Sequence, residues 1–210
     1  MLTFKYPMKP MRVDKSIFQR KGGLENYILE RKFDGFRCIL IVDQKIKLFT
    51  RGKVPMEVPD NLVPQLEALH LKEGTILDGE IWTPTHRGGW RHNKQVRCQI
   101  TFWDIIKDGI QDISGKPLRD RRECLEGIGW AQDSDIGITM PEKPTLEVCE
   151  YIEKIANDFR SGQNSRSGFI HGVVIKKWDS PRRDNAVRCV EHPDWMKIVF
   201  DGLTGYEPRA

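Results

Sequence analysis

Glu30, Lys32, Asp34 and Arg37 lie in one short stretch around the turn Asp34-Gly35. A lysine amine is a nucleophile only when it is neutral, and burial or neighbouring cations favour that form. A lysine just before a glycine turn, with an arginine entering a buried strand, can be held at a pocket floor beside a phosphate. Arginine suits such a place because its planar fork donates two parallel hydrogen bonds. The hexapeptide KFDGFR (32–37) also reads as an ordinary turn flanked by surface charges. The rest of the chain has to decide between the two.

Other side chains carry the same double reading. Glu80 follows Asp78-Gly79 and is either a site carboxylate or a solvated strand residue. Trp103 is either a stacking surface or a core residue. Lys197 either neutralises a phosphate or snorkels at the surface. Arg51 and Lys53 sit where a hairpin ends. Two stretches are basic. Residues 85–97 carry Arg87, Arg91, Lys94 and Arg97 around Trp90, and 176–188 carries Lys176, Lys177, Arg182, Arg183 and Arg188. Cations interleaved with an aromatic grip nucleic-acid backbones and exposed bases. An ordinary solvated loop has a similar composition.

These residues need elements to hold them. Residues 36–42 are apolar and β-branched and 45–50 alternate, which predicts a hairpin of one buried and one half-exposed strand. Residues 75–82, 97–106, 169–176 and 195–200 also read as strands. Leucines at helical spacing predict a helix over 61–72, with Asp60 as N-cap and Gly74 as stop. The clearest amphipathic helix covers 145–159, with Thr145 as N-cap and a polar loop, 161–168, after it. Strand hairpins interrupted by two helices indicate an α+β fold of mainly antiparallel sheets.

Composition narrows the class. At 210 residues and 39% hydrophobic content the chain can bury a real core. A net charge of +4 suits a polyanion without demanding one. Five scattered cysteines, with no CxxC pair, argue against a zinc site and a disulfide framework and for a reducing compartment. No apolar run approaches signal-peptide or membrane-span length. The expectation is a cytoplasmic or nuclear monomer with no membrane contact.

The KxDGxR element resembles motif I of the covalent nucleotidyltransferases: DNA ligases, RNA ligases and mRNA-capping enzymes. LFTRG (48–52) looks like motif Ia, LDGEI (77–81) like motif III, and FWDII (102–106) like motif IIIa. HGVVIK (171–176) looks like motif IV and WMKIV (195–199) like motif V. PLRDRR (117–122) resembles the helix-leading segment that follows motif IIIa in DNA ligases. Ordered co-occurrence over nearly the whole chain is far more specific than any one motif.

The resemblance implies one nucleotidyltransferase (adenylation) domain over residues 1–210, with two mainly antiparallel sheets and flanking helices around an ATP cleft, in an ATP-grasp-like arrangement. It implies an ATP-dependent DNA ligase acting on nicked duplex DNA in replication, repair or recombination. An RNA ligase and a capping guanylyltransferase are the alternatives within enzymes. Lys32 would attack the α-phosphate of ATP and carry AMP. Glu30 would accept a hydrogen bond from the adenine amino group. Arg37 and Arg51 would contact ribose or nucleic-acid phosphate. Glu80 would bind ribose or a metal-bound water, and Trp103 would stack on adenine. Lys197, with Lys176 nearby, would neutralise the α-phosphate. Asp34 and Glu80 would serve Mg²⁺ or Mn²⁺. Arg87, Arg91, Lys94, Arg97, Arg182 and Arg183 would meet nucleic acid.

Two positions depart from the pattern. Motif IV normally begins with glutamate, where this chain has His171, and imidazole is a poor Mg²⁺ ligand. Motif V normally has a second lysine, where this chain has Val199; Lys176 and Lys177 are the candidates to replace its charge. These departures define a third reading, a catalytically altered domain that only binds nucleotide or nucleic acid. Residues 200–210 cannot build the OB-fold barrel that usually follows motif V, so either the chain is a piece of a longer protein, with an OB-fold domain or partner protein outside it, or the protein lacks that domain.

Overall fold

The computed structural model describes residues 4–20, 22–83, 94–160 and 170–200. In chain order the strands are β1 (Lys9–Arg12), β2 (Tyr27–Phe33), β3 (Phe36–Asp43), β4 (Lys45–Thr50), β5 (Pro55–Met56), β6 (Ile76–Trp82), β7 (Gln99–Asp108), β8 (Gln111–Asp112), β9 (Ile136–Ile138), β10 (Ile170–Lys177) and β11 (Glu191–Val199). The helices are α1 (Val63–Glu67), α2 (Leu118–Glu126) and α3 (Leu146–Arg160). The chain divides into two compact units. The first comprises Met1–Lys9, Gly35–Thr139 and Asp179–Val190; the second comprises Pro10–Asp34, Met140–Trp178 and Glu191–Ala210.

The first unit holds a sheet in the order β5-β4-β3-β6-β7-β8, with β9 added to β7. Its described pairings are antiparallel apart from the parallel pairing of β7 with β9. The β3–β4 hairpin turns at Gln44, whose φ of 58° is left-handed. β3 is apolar at almost every position because both its faces are covered. Cys38, Leu40 and Val42 enter one core with Leu62, Leu66, Leu77 and Leu125, while Ile39 and Ile41 pack with Ile76 and Ile106 on the other side. β6, between β3 and β7, is buried along its whole length, including Asp78 and Glu80.

The second unit holds the sheet β1-β11-β10-β2, whose described pairings of β10 with β11 and β2 are antiparallel. α3 lays Cys149, Ile152 and Ala156 against Leu29, Val173, Ile175, Met196 and Ile198. Thr145 caps α3 as expected, its hydroxyl accepting from the Val148 N–H at 3.2 Å. The architecture is the α+β arrangement of mainly antiparallel sheets that the periodicity predicted.

The helix expected over 61–72 is a single short one, Val63–Glu67. Leu62 occupies its N-cap position without a side-chain hydrogen bond, and the Asp60 N–H bonds the Lys94 carbonyl instead. After Ala68 the chain tightens, with Leu69 and His70 bonding three residues back, and His70 turns left-handed at φ 47°. The leucine spacing survives because Leu69 and Leu71 still reach the core from non-helical backbone. Segment 161–168, expected to be a loop, lies outside the described residues. Among the described residues no helix is long and apolar enough to cross a membrane.

Candidate active site

The register of the second unit's sheet builds the site. Val199, Gly172 and Lys32 form one cross-strand row; Lys197, Val174 and Glu30 form the row two residues on; Trp195, Lys176 and Ile28 form the third. Side chains alternate along a strand, so all three rows share one face. The intervening rows, Ile198–Val173–Arg31 and Met196–Ile175–Leu29, supply the core under α3. One face is thus spent on packing, and the other carries Lys32, Glu30, Lys176 and Lys197 together.

Lys32 Nζ lies 3.0 Å from His171 Nε2, and His171 Nδ1 lies 3.7 Å from Asp34 Oδ1. His171 reaches this place through a β-bulge. Ile170 pairs with Phe33 and Gly172 with Lys32, which leaves His171 as the extra residue on β10. The Phe200 N–H closes onto the His171 carbonyl at 3.0 Å. Gly172 is required beside it: a Cβ there would stand 2.2 Å from the Ile198 carbonyl oxygen.

Lys176 is buried at 2% exposure and pairs with Glu30 Oε2 at 2.5 Å; its Nζ also lies 4.4 Å from the Trp195 ring centroid. Its ammonium thus sits between the Glu30 carboxylate and the Trp195 ring on the face that carries Lys32 and Lys197. Lys177 pairs with Tyr27 in the register and falls on the alternate face.

In the first unit, Arg37 forms a bidentate pair with Asp78, Nε to Oδ1 at 2.9 Å and Nη2 to Oδ2 at 2.6 Å. Its guanidinium lies 5.7 Å from the Trp103 ring centroid. Trp103 is itself the extra residue of a bulge, because Asp78 pairs with Asp104 and Gly79 with Phe102. The bulge re-aims its half-buried ring, which strand alternation alone did not foresee. Glu80 is 8% exposed and stands opposite Arg37 in the register. Gly35 lets the motif approach this strand, since a Cβ there would lie 2.5 Å from the Ile81 carbonyl oxygen. Arg51 is exposed on the turn after β4, its carbonyl accepting from the Cys189 thiol at 3.8 Å.

The surface set divides. Arg87 and Arg91 lie outside the described residues. Lys94 pairs with Glu57 at 3.0 Å, and Arg97 pairs with Asp135 at 3.2 Å while staying 74% exposed. Arg183 is exposed. Arg182 is corrected: its side chain is fully buried, bonded to Asp78, Asp104 and Asp184, and cannot meet a nucleic acid. In Ser180-Pro181-Arg182-Arg183 the sequence shows two adjacent cations, and nothing local tells which one turns inward. Sequence reasoning also missed Asp78, Asp104 and Arg121. Alternating acids and bases on separate motifs were the available signal, and only pairing in space makes a network of them.

The family model described as "ATP dependent DNA ligase domain" matches residues 7–198. The chain belongs to this family. A curated relative, the SPbeta prophage-derived DNA ligase-like protein LigB of Bacillus subtilis, is 31% identical over 197 residues, covering 86% of this ligase-family chain and 66% of the relative. The ligase domain of LigD from M. tuberculosis superimposes with a TM-score of 0.59 at 18% identity, covering 93% of the chain and 60% of that structure. A mycobacterial DNA ligase D complexed with ATP and MES gives 0.60 at 16% identity, with coverages of 94% and 62%. At such identities the structural likeness establishes the fold. The ligase-family chain spans just under two thirds of the length of each of these three proteins.

Proposed function

We propose that this ligase-family domain carries out adenylyl transfer for sealing nicks in duplex DNA. The Lys32 amine attacks the α-phosphate of ATP, a P–N bond forms, the α–β P–O bond breaks, and pyrophosphate leaves. The AMP then passes to a 5′-phosphate at the nick. The observation that carries this reading is the single sheet face holding Lys32, Glu30, Lys176 and Lys197, in a chain whose family is that of ATP-dependent DNA ligase domains.

The motif resemblance supports the remaining roles. Lys197, two residues from Val199 along the same face, offsets α-phosphate charge. Glu30, held by Lys176, addresses the adenine amino group. In the first unit Trp103 is the stacking candidate, and Arg37, Arg51 and Glu80 are the ribose and phosphate candidates. Among the described residues no group of three or more His, Cys, Asp or Glu side chains is arranged to hold a metal. Asp34 and Glu80 are the residues that would hold a divalent cation, Mg²⁺ or Mn²⁺. It would supply charge neutralisation at the phosphates. Residues 1–210 are read as one nucleotidyltransferase domain acting as a monomer wherever the DNA lies, in the cytoplasm or a nucleus.

Incubation with α-labelled ATP or GTP, followed by denaturing electrophoresis, tests the reading. Label from ATP that is stable to base, lost in acid and absent in Lys32→Arg is the expected result, because a guanidinium stays protonated and does not attack. Label from GTP would indicate a capping-type enzyme. His171 and Val199 favour one second reading, a domain that binds without transferring; no label from either nucleotide would establish it.

A further inference from the structure

The buried Arg182 reaches three different carboxylates. Nη2 donates to Asp78 Oδ2 at 2.5 Å, Nη1 to Asp104 Oδ2 at 3.0 Å and Nε to Asp184 Oδ2 at 2.7 Å. Asp78 Oδ2 is shared with Arg37 Nη2. Arg37 Nη1 donates to the Met8 carbonyl at 2.5 Å, and the Met8 N–H donates to Asp184 Oδ1 at 2.9 Å. These bonds close into a ring: Arg37, Asp78, Arg182, Asp184, Met8 and back to Arg37. A branch runs from Arg182 through Asp104, which Arg121 clasps from the other side with Nε at 2.8 Å and Nη2 at 3.0 Å. Asp104 directly follows Trp103, whose ring faces the Arg37 guanidinium.

A ring of this kind does more than bury charge. Replacing buried ion pairs by apolar groups is often neutral for stability, so stability alone is a weak account of them. What the ring determines is orientation. Arg37 is held at both edges of its fork, by Asp78 on one side and by Met8, tied to Asp184, on the other. Arg182 bonds both of those aspartates. Burial by itself would raise the Asp78 carboxyl, but Arg37 and Arg182 hold it below the ordinary carboxylate range, so it stays an acceptor.

We propose that Arg182 is a positioning residue that sets the Arg37 guanidinium, and with it the Trp103 strand, for nucleotide. What Arg37 then does rests on the ligase reading; the ring itself rests on geometry. Arg182→Lys keeps the charge but presents a point donor that cannot span three carboxylates. The maximal rate of lysyl-AMP formation should fall by about tenfold to a hundredfold, as for a displaced catalytic group. In an Arg37→Met background the same change should cost less than about twofold, because a residue acting through Arg37 has nothing left to position. An equal loss in both backgrounds would mean a structural role only and would overturn the proposal. A second measurement does not depend on activity. The Arg37 Nε–Hε proton, followed by ¹⁵N NMR, should exchange with water about tenfold faster in Arg182→Lys, with the β3 amides of Ile39 and Leu40 unchanged. An unchanged Arg37 signal overturns the proposal even if wild type labels normally. Wild type that fails to label counts against the ligase reading, and the NMR result still decides the role of Arg182.

Discussion

Lys32 Nζ and His171 Nε2 stand 3.0 Å apart, so the family's glutamate position is occupied here by a residue hydrogen-bonded to the candidate nucleophile. His171→Ala removes the partner that orients the Lys32 amine, and a displaced reacting group costs about tenfold to a hundredfold in rate. Lysyl-AMP formation should fall roughly tenfold or more. His171→Glu restores a hard oxygen, so its labelling with Mg²⁺ should match or exceed wild type and saturate at lower Mg²⁺. Mg²⁺ titrations of labelling rate check both. A large loss in His171→Glu would show that the imidazole has a role that carboxylate cannot take.

The Glu30–Lys176 pair is buried on both sides, at 2% side-chain exposure each. Lys176→Met withdraws this cation from a buried carboxylate, which should cost about 3–5 kcal/mol in urea unfolding. The double variant Glu30→Gln/Lys176→Met should recover most of that. A single-variant loss below about 1 kcal/mol would mean the pair is solvated.

Asp135 makes stability depend on acid. Burial would raise its carboxyl, but hydrogen bonds from Arg97, Asn61 and Gln65 bring it below the ordinary value of 3.8. A depressed carboxyl contributes stability above its unfolded pKa and loses it as pH falls through the folded one. Melting temperatures of wild type should therefore drop more steeply than those of Asp135→Asn as pH falls below about 4. Parallel curves would remove Asp135 from the acid limb.

Replacing Arg87, Arg91, Lys94 and Arg97 with glutamine should flatten the salt dependence of nicked-duplex binding. The slope changes by about 0.9 for every phosphate that is no longer neutralised. Lys94 and Arg97 already face Glu57 and Asp135, so the change should fall short of that for four phosphates. Adding Arg183→Gln should flatten the slope further, whereas Arg182, being buried, has no place in this set. An unchanged slope would put the grip on nucleic acid elsewhere.

The sequence by itself determined the family and the positions of its motifs, because ordered short motifs depend only on residue types and spacing. It also determined the β3–β4 hairpin and α3, since alternation and helical periodicity are local consequences of which face is buried. Tertiary structure alone decided which charges are exposed and which are buried in ion pairs. Lys176 and Arg182 look like solvated cations in the chain, yet each is buried against carboxylates brought from distant segments. It also decided where Trp103 and His171 point, because each is the extra residue of a bulge, and a bulge exists only in the register between two strands. The helix over 61–72 failed for a related reason. Leucine spacing reports burial, and non-helical backbone at Leu69 and Leu71 satisfies the same core once the chain turns at His70.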